Sequence, residues 1–423
     1  MLQTYRCLTI LLFPIAQLLI FFRAFFNKED KLRFKEKIFS SAFKPNRNFE
    51  KKLYWFHVAS VGELMSILPL IEELNSSTKN IEFLITSVTL SSSRLLERKL
   101  GQHDNITHRF FPLDTEELAG KFLDAWKPDL VFFVDSEIWP NFLFKIKKNK
   151  IPLILINGRI TKKTYNKWKI FPSFAKEVFN NFDLCLAASE ESKKNLEKLQ
   201  VKNLIYIGNL KFSVKNKIEK LHDSNITKLN KFKTWCAAST HMGEELIVLK
   251  SHIEIKKKYN NILTVIIPRH INRVSYIKKL SKKFNLNSQI LNENDSINED
   301  VEILIINSFG FLSKYFSYCK NIFIGKSFIK KLKLVGGQNP IEAAMSGCKI
   351  FHGPYVYNFK EVYDLLKLHG FSCQVDDEKD LSEKIVESFE NPTKIYDQQV
   401  DFLNNHGKNI MRQTIKELSK FIN

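Results

Sequence analysis

The chain has 423 residues, 44% of them hydrophobic and 13% aromatic, which is enough apolar material for two or three domains; we expect two. Lysine and arginine number 65 against 45 acidic residues, a net charge of +20, which favours anionic partners such as nucleic acid, acidic lipid or phosphorylated substrates without choosing among them. The six cysteines include no C-x-x-C pair and no Cys/His cluster, which argues against a disulfide scaffold and a zinc site.

The first predicted element is an apolar segment, residues 7–22, flanked by Arg6 and Arg23. Three interpretations compete: a cleaved signal peptide, a buried core helix, and a membrane anchor that spans the bilayer or lies in its interface. We favour the anchor, because no small-residue cleavage site follows and basic residues do: Arg23, Lys28, Lys31, Arg33, Lys35 and Lys37. This flank predicts that the protein contacts membrane lipids from the cytoplasmic side.

From residue 51 onward, short runs of β-branched and aromatic residues alternate with amphipathic stretches, a pattern typical of βαβ units. The predicted strands of the first half are residues 53–59, 81–88, 108–113, 129–135, 152–158, 184–189 and 204–209. Those of the second half are residues 235–239, 263–268, 301–308, 321–326, 349–354 and 371–375.

This alternation predicts an α/β protein with two doubly wound, Rossmann-like domains facing across a cleft. We assign residues 1–50 to the anchor and a basic segment, 51–213 to the N-terminal domain, 214–232 to a polar linker and 233–423 to the C-terminal domain, and allow for the last helix packing back on the N-terminal domain. Doubly wound sheets bind ligands beyond the carboxyl ends of their strands, so the turns that follow strands are the candidate sites.

The first such turn, Ser60 to Glu63, reads S-x-x-E ahead of an apolar helix. This is the pattern of a capping box, in which Ser60 and Glu63 satisfy each other's backbone N–H groups. Gly62 in the first helical turn weakens the helix and leaves room for a ligand, which a purely structural cap does not require. Both a cap and a functional carboxylate therefore stay open for Glu63.

Acidic and basic candidates follow later strands of the first half. Asp135 and Glu137 form a D-x-E pair that could hold a metal beside a nucleoside diphosphate, whereas Glu137, next to Trp139, could equally be an acid whose pKa desolvation raises. Lys211 and Arg159 each stand at a strand end, where a cation could meet a negative substrate group or simply be solvated.

In the second half, Arg269 and His270 come directly after a strand. Arg269 is a candidate phosphate or base contact, and His270 a weaker candidate base. The segment from residue 335 to 354 is the strongest local signal, since Gly336 and Gly337 let the backbone approach a ligand. Asn339, Pro340 and Glu342 then have the pattern of a helix start, which predicts an anion site at the helix N-terminus or a ribose contact at Glu342.

Together these turns resemble the bacterial 3-deoxy-D-manno-octulosonic acid (Kdo) transferases of lipopolysaccharide synthesis. The resemblance is carried, in order, by FHVASVGE, VDSEIWPN, GNLKF, AASTHMGEE, PRH, VGGQNPIEAA and GPYVYNFKE. It implies a GT-B glycosyltransferase that transfers Kdo from CMP-Kdo to a lipid A precursor of the lipid IVA type, on the cytoplasmic face of the inner membrane. The chain departs from the family at Gln338, where histidine is common, and at Phe311, where glutamate is common.

The resemblance also implies roles for individual residues. Glu63 matches the general base, and Glu137 and Lys211 match positions that stabilise the transition state. The donor-nucleotide positions, with Gly337 added from the turn itself, are Pro268, Arg269, Phe309, Gly310, Phe311, Gly337, Asn339, Pro340, Ile341 and Glu342. We assign the acceptor to Ser60, Gly62 and Arg159.

Direct displacement by the acceptor would invert the anomeric centre, and the absence of a convincing metal cluster in the sequence predicts no metal or other cofactor. Two alternatives stay open: a GT-B enzyme using a nucleoside-diphosphate sugar, with Asp135 and Glu137 on a metal, and a membrane-tethered polyanion-binding protein. We expect no nucleic-acid partner, because the basic residues are not interleaved with aromatic ones.

Overall fold

The computed structural model of the protein describes residues 1–101, 103–214, 221–308, 312–392 and 397–422. The chain forms two compact units. The first comprises Met1–Val214 and His406–Asn423, and the second comprises Lys215–Asn405.

The first unit is built on a parallel sheet. Its strands are β1 (Lys52–Val58), β2 (Ile81–Ser87), β3 (Ile106–Phe110), β4 (Leu130–Val134), β5 (Leu153–Gly158), β6 (Leu184–Ala187) and β7 (Leu204–Tyr206). They lie in the order β3-β2-β1-β4-β5-β6-β7. The order reverses between β1 and β4, which makes the sheet doubly wound and marks the edge where ligands of such sheets bind.

Helices cover the sheet of the first unit. They are α1 (Leu2–Phe25), α2 (Val61–Ser77), α3 (Leu90–Leu100), α4 (Glu116–Trp126), α5 (Pro140–Lys148), α6 (Lys162–Trp168), α7 (Pro172–Phe179) and α8 (Glu190–Lys198). Trp55, Trp126 and Phe133 are fully buried in the core between strands and helices. Strands that are buried on both faces need continuous apolar runs, which is why the sequence pattern identified β4, β5 and β6; the partly buried edge strands β3 and β7 were identified as well.

The apolar segment predicted at the N-terminus is α1, and its 24 residues are long and apolar enough to cross a membrane. The basic residues after it are only partly available to lipid. Lys37 is 5% exposed, and its ammonium lies 2.6 Å from the Glu29 carboxylate, while Arg33 pairs with Glu36 at 2.9 Å. Lys37 also donates to the Val88 carbonyl at 2.8 Å, and Arg33 donates to the His108 carbonyl at 2.9 Å, so these two side chains attach the segment to the first unit.

The second unit is built on another parallel sheet. Its strands are β8 (Lys233–Thr240), β9 (Ile262–Pro268), β10 (Ser288–Leu291), β11 (Ile303–Ile306), β12 (Asn321–Ile324), β13 (Lys349–His352) and β14 (Ser372–Gln374). Their order is β10-β11-β9-β8-β12-β13-β14, so this sheet is also doubly wound, with its reversal between β8 and β12. The predicted α/β class with two doubly wound sheets is confirmed. The edge strand β10 was not predicted.

The helices of the second part of the chain complete the fold. They are α9 (Asp223–Leu229), α10 (Glu244–Lys256), α11 (Val274–Lys283), α12 (Leu312–Phe316), α13 (Ile341–Met345), α14 (Lys360–Leu368), α15 (Glu378–Glu390) and α16 (Asp397–Leu418). The range predicted as a linker contains α9, whose Leu229 is buried and whose Asn225 side chain donates to the carbonyl of Asp295. Helix α16 begins in the second unit and ends in the first.

Candidate active site

A polar cluster lies at the carboxyl edge of the first sheet, and its members come from separate parts of the chain. Glu63 stands in the first turn of α2, Asp135 and Glu137 follow β4, and Lys211 lies in a 3-10 helix, Leu210–Ser213, that contacts α2. The structure thus brings together Glu63, Glu137 and Lys211, the three residues predicted to be catalytic, and adds Asp135 to them.

The Glu63 carboxylate is held by the turn that begins α2. Its Oε2 accepts a hydrogen bond from the Ala59 N–H at 2.6 Å, and its Oε1 accepts one from the Ser60 hydroxyl at 2.9 Å. The Ser60 oxygen in turn accepts from the Glu63 N–H at 3.3 Å, as an N-cap does. The capping box is real, but Glu63 satisfies the N–H of Ala59 rather than that of Ser60.

The pKa of Glu63 is raised to about 7, chiefly by burial and next by the negative charge of Asp135. Glu137 adds to the rise, while the hydrogen bonds from Ala59 and Ser60 oppose it. A carboxyl whose pKa lies near neutrality is a better proton acceptor at neutral pH than an ordinary glutamate. The same residue therefore serves as a helix cap and has the properties of a general base.

Asp135 and Lys211 form an oppositely charged pair deep in this edge. The Lys211 Nζ lies 4.0 Å from the Asp135 Oδ2, and the two side chains are 12% and 7% exposed. Burial lowers the pKa of Lys211, and the charges of Asp135 and Glu63 offset part of that effect. Asp135 adopts φ 61°, a left-handed conformation that aspartate tolerates better than most residues. This turn sends the chain toward Glu137.

Glu137 is the second carboxylate of the cluster, and an indole donor and an imidazole ring lie beside it. The Trp139 Nε1–H donates to Glu137 Oε2 at 2.9 Å, and the Nε2 of the fully buried His57 lies 3.5 Å from the same oxygen. Burial lowers the pKa of His57, which favours the neutral ring. The His57 Nδ1 lies 3.0 Å from the Thr86 hydroxyl. Glu137 is therefore oriented by its surroundings.

The residues assigned to the acceptor line the same turn region. Gly62 is exposed, and a Cβ built on it would find only the Ser60 hydroxyl, at 4.0 Å. Its surface is thus open to a ligand, as predicted for a glycine at this position. Arg159 follows β5, donates its N–H to the Asp135 carbonyl at 3.0 Å, and lies close enough to lower the pKa of Lys211. Ser60 is engaged by Glu63.

Chemically, this edge offers a poised carboxylate next to a buried ammonium and a second, oriented carboxylate. Such a set can take a proton from a hydroxyl and stabilise developing charge on a sugar. Among the described residues, no group of three or more His, Cys, Asp or Glu side chains could hold a metal ion. Within the D-x-E pair, Asp135 lies beside the Lys211 ammonium, and Glu137 accepts a hydrogen bond from the Trp139 indole.

In the second unit, the predicted donor residues that the structure describes lie in two turns, one after β9 and one before α13. Pro268 ends β9, and the Arg269 that follows is exposed, with its N–H donating to the Thr240 carbonyl at 3.1 Å. His270 is exposed as well and lies beside His241, with ring centroids 5.9 Å apart. The Arg269 guanidinium is thus placed at the carboxyl edge of this sheet.

The paired glycines have a structural purpose that the sequence did not predict. A Cβ on Gly336 would lie 2.2 Å from the Tyr355 carbonyl oxygen, and one on Gly337, at φ +86°, would lie 3.0 Å from the Val356 Cα. Glycine is therefore required at both positions because the neighbouring backbone of residues 355–356 fills the space that a Cβ would take, while a ligand contact at this turn stays a prediction.

The helix that follows the glycines is shorter than its pattern indicates. Asn339 accepts the Ile341 N–H at 3.2 Å, and the helix, α13, has only five residues and begins at Ile341, one residue after Pro340. Its dipole is correspondingly small. Burial raises the pKa of Glu342, and a hydrogen bond from Ser313 opposes that rise. The predicted contacts Phe309, Gly310 and Phe311 lie outside the described residues.

Sequence reasoning missed a carboxylate that organises this edge. Glu244, the first residue of α10, is fully buried. Its two oxygens accept four backbone N–H groups at 2.7 to 3.1 Å, from His241, Lys326, Ser327 and Phe328. Because it binds three N–H groups of the loop after β12, this carboxylate holds the loop in place. The same loop accepts the Gly337 N–H at its Lys326 carbonyl. The motif AASTHMGEE contains this residue, but spacing alone does not reveal its partners.

Solved structures with the same architecture define the fold as GT-B type. A glycosyltransferase from Rickettsia africae has a TM-score of 0.57 at 12% identity, covering 88% of this chain and 99% of the other. A UDP-GlcNAc 2-epimerase from Neisseria meningitidis has a TM-score of 0.57 at 16% identity, covering 86% and 100%. These similarities confirm the predicted fold class.

Sequence comparison then shows the family. The model of the 3-deoxy-D-manno-octulosonic-acid transferase (kdotransferase) family matches residues 32–214. The transferase of Rickettsia bellii is 33% identical over 359 residues, 84% of this chain and 82% of the relative, and that of Haemophilus influenzae is 26% identical over 80% and 79%. The chain belongs to the Kdo transferase family and is a glycosyltransferase, as the resemblance predicted.

Proposed function

We propose that this protein transfers Kdo from CMP-Kdo to a lipid A precursor of the lipid IVA type, at the cytoplasmic face of the inner membrane, with Glu63 as the general base. The carbohydrate hydroxyl of the acceptor gives its proton to the Glu63 carboxylate as its oxygen bonds to the anomeric carbon of Kdo. The bond from that carbon to the phosphate oxygen breaks, and CMP leaves with the electron pair. Direct displacement of this kind inverts the anomeric centre.

The observation that carries the proposal is the state of Glu63. A hydroxyl is a poor nucleophile at neutral pH, so a base must accept its proton during bond formation. The raised pKa of Glu63, about 7, and its place in an open turn beside Gly62 supply such a base. An ordinary cap residue needs neither property.

In this mechanism, Glu137 and Lys211 stabilise the charges that develop in the transition state. The oxocarbenium character that develops on Kdo is stabilised by a carboxylate, and the leaving phosphate and the sugar acid by a cation. Glu137 is oriented by Trp139 and lies within 3.5 Å of His57, and Lys211 lies 4.0 Å from Asp135. Side chains fixed in advance stabilise a transition state without reorganising as the reaction proceeds.

For the donor nucleotide we propose the turns of the second unit. Arg269 is exposed directly after β9, where its guanidinium can meet the phosphate, and Asn339 to Glu342 follow the glycine turn that the Glu244 loop supports. The acid Glu342 suits a ribose hydroxyl better than a phosphate, since two negative charges would repel. We include Phe309, Gly310 and Phe311 in the nucleotide site on the family resemblance alone.

We propose no metal and no other cofactor for this reaction. Asp135, the first acid of the D-x-E pair, has an ammonium for its cation, since Lys211 is its neighbour at 4.0 Å. Leaving-group charge would then be met by cationic side chains and backbone N–H groups.

The test is direct incubation of the detergent-solubilised protein with CMP-Kdo and lipid IVA, followed by product mass and anomeric configuration. Glu63→Gln should lower kcat by about 10²–10⁴-fold, the usual contribution of a general base. Glu72→Gln, on the exposed side of the same helix, is the matched control and should leave the rate unchanged. Turnover of a nucleoside-diphosphate sugar instead of CMP-Kdo, or an undiminished rate for Glu63→Gln, would refute the proposal.

A further inference from the structure

The outer face of α1 is apolar over the full length of the helix. The leucines, isoleucine and phenylalanine that recur at helical spacing are 46% to 73% exposed: Leu8, Leu11, Leu12, Ile15, Leu18, Leu19 and Phe22. The polar side chains within this stretch, Thr9 and Gln17, lie on the partly buried side. A helix docked on a water-soluble domain has the opposite arrangement, with apolar residues inward and polar residues outward.

The inner face of α1 contacts the first unit near both ends of the helix. Near the start, the Tyr5 hydroxyl donates to Asp114 Oδ2 at 2.7 Å, and Arg6 pairs with Glu116 at 3.0 Å. Near the end, Ile20 and Ala24 are buried in a cluster with Phe34 and Ile38. At 1.5 Å per residue, the contacts from Tyr5 to Ala24 extend over about 28 Å, which is close to the thickness of a bilayer core.

These contacts decide between a helix that crosses the membrane and one that lies along its surface. If α1 spanned the bilayer, its N-terminal turn would be about 30 Å from the face on which the body of the protein sits. Tyr5 and Arg6 would then be separated from Asp114 and Glu116 by the membrane. Asp114 is only 7% exposed and would lose its hydroxyl donor, which makes separation costly.

We infer that α1 does not span the membrane but lies in the plane of the bilayer interface, docked on the first unit, with its outer row of apolar residues inserted among the acyl chains. Charge after the helix complements this surface. Lys28, Lys31 and Lys35 are exposed, next to the exposed Leu32, and can reach anionic headgroups while the apolar residues are inserted. The inference rests on the proposed membrane association but not on the proposed chemistry.

The first experiment measures on which side the N-terminus lies. Cys7→Ala and Cys373→Ser remove the exposed and half-exposed thiols and leave four buried ones. Gln3→Cys then reports on the start of α1, and Lys202→Cys on the exposed surface of the body. With a membrane-impermeant maleimide on spheroplasts, both sites should be protected before lysis and labelled after it. Labelling of Gln3→Cys in intact spheroplasts, with Lys202→Cys protected, would overturn the inference.

The second experiment tests docking in the membrane itself. The Asn141 amide nitrogen lies 3.4 Å from the Thr9 hydroxyl, so Thr9→Cys with Asn141→Cys should form an intramolecular disulfide in isolated membranes under mild oxidation. A disulfide that forms after detergent extraction but not in membranes would show that lipid draws the helix away, and would refute the in-plane arrangement.

The third experiment identifies what covers the outer face. Flotation with phosphatidylethanolamine vesicles, with and without phosphatidylglycerol, should recover the wild type, more strongly with the anionic lipid. Leu11→Asn with Leu18→Asn should weaken partitioning by about a hundredfold, since each buried leucine contributes about tenfold. Leu368→Asn, 81% exposed on α14, should change nothing.

Two other results would overturn the inference, and a third would count against the proposed chemistry alone. Wild-type protein that does not float would contradict membrane association altogether, whatever its rate of Kdo transfer in detergent. A dimer that the double leucine variant dissociates, with vesicle binding unchanged, would identify a second copy of the chain as the occupant of the outer face. Loss of Kdo transfer in detergent, with topology and flotation as expected, would count only against the proposed chemistry.

Discussion

The pH dependence of catalysis follows from the raised pKa of Glu63. A general base works only when ionised, so activity must fall as the pH drops through its pKa. With a pKa of about 7, Glu63 would be about nine-tenths ionised at pH 8 and about one-tenth at pH 6. We therefore expect kcat/KM to fall about tenfold over that interval. A glutamate at its ordinary value of 4.5 would lose almost nothing there.

Asp135→Asn separates this effect from titration of the substrates. Asp135 is the largest charge contribution to the raised pKa of Glu63, so removing its charge should move the acid limb to lower pH. Asparagine also tolerates the left-handed backbone at this position, where φ is 61°. The phosphates of the acceptor titrate in the same range, but their pKa values in solution are the same for both proteins.

The assay is the initial rate of Kdo transfer at low substrate concentration, from pH 5.5 to pH 8.5, for the wild type and Asp135→Asn. The height of the Asp135→Asn profile should also fall, because Lys211 loses its partner, but the midpoint is the quantity that matters. An acid limb at the same pH in both proteins, or a flat wild-type profile down to pH 5.5, would refute the assignment of Glu63 as the base.

Three further predictions follow from the structure. Glu244→Gln replaces an acceptor of two N–H groups by a donor, so the second unit should lose about 3–6 kcal/mol of unfolding free energy in urea; a loss under 1 kcal/mol would contradict the four-bond arrangement. Gly336→Ala forces a methyl group against a backbone carbonyl and should lower the Tm by several degrees or prevent folding, whereas Gly243→Ala meets open space and should cost only the backbone strain of its φ of +101°, about 1–3 kcal/mol. EDTA should leave the rate of Kdo transfer unchanged, because Lys211 is the cation beside Asp135; inhibition that added Mg²⁺ reverses would contradict this.

Most strands were predictable because burial on both faces of a sheet shows directly in the residues of the strand itself. A parallel strand covered on both faces reads as a continuous apolar run, and β4, with all five residues buried, is an example. The exception is β10, Ser288–Leu291, an edge strand whose first three residues are only partly buried. Such a strand needs no apolar run, so its four residues do not differ from a loop in sequence.

The site was predictable only where one turn contains all the relevant atoms. Ser60 and Glu63 are three residues apart, and the bond from the Glu63 N–H to the Ser60 hydroxyl could be expected from spacing alone, although the Glu63 carboxylate then binds the Ala59 N–H. The Asp135–Lys211 pair joins residues 76 positions apart, so the sequence suggested a metal for Asp135 where the fold supplies an ammonium. Only the topology reveals which charges share an edge of the sheet.

Glycines and lysines were ambiguous for a related reason. Gly336 and Gly337 indicated a close backbone approach, and the sequence could not show whether a ligand or another loop makes it; the loop at residues 355–356 does. Lys37 belongs to a basic run that favoured lipid contact, but the buried Glu29 carboxylate, eight residues earlier, binds its ammonium. Composition counts charges without showing which of them are already neutralised.

The course of α16 has a consequence for how the protein is made. Residues 406–423 belong to the first unit, and Gly407 packs so closely that a Cβ there would lie 2.1 Å from the Phe212 carbonyl oxygen. The first unit therefore lacks its last piece until residues 215–405 have left the ribosome, a delay of about 10–40 s at ordinary rates of synthesis. During that interval the nascent chain exposes the surface that Gly407 will cover, and chaperones have their longest opportunity to bind it.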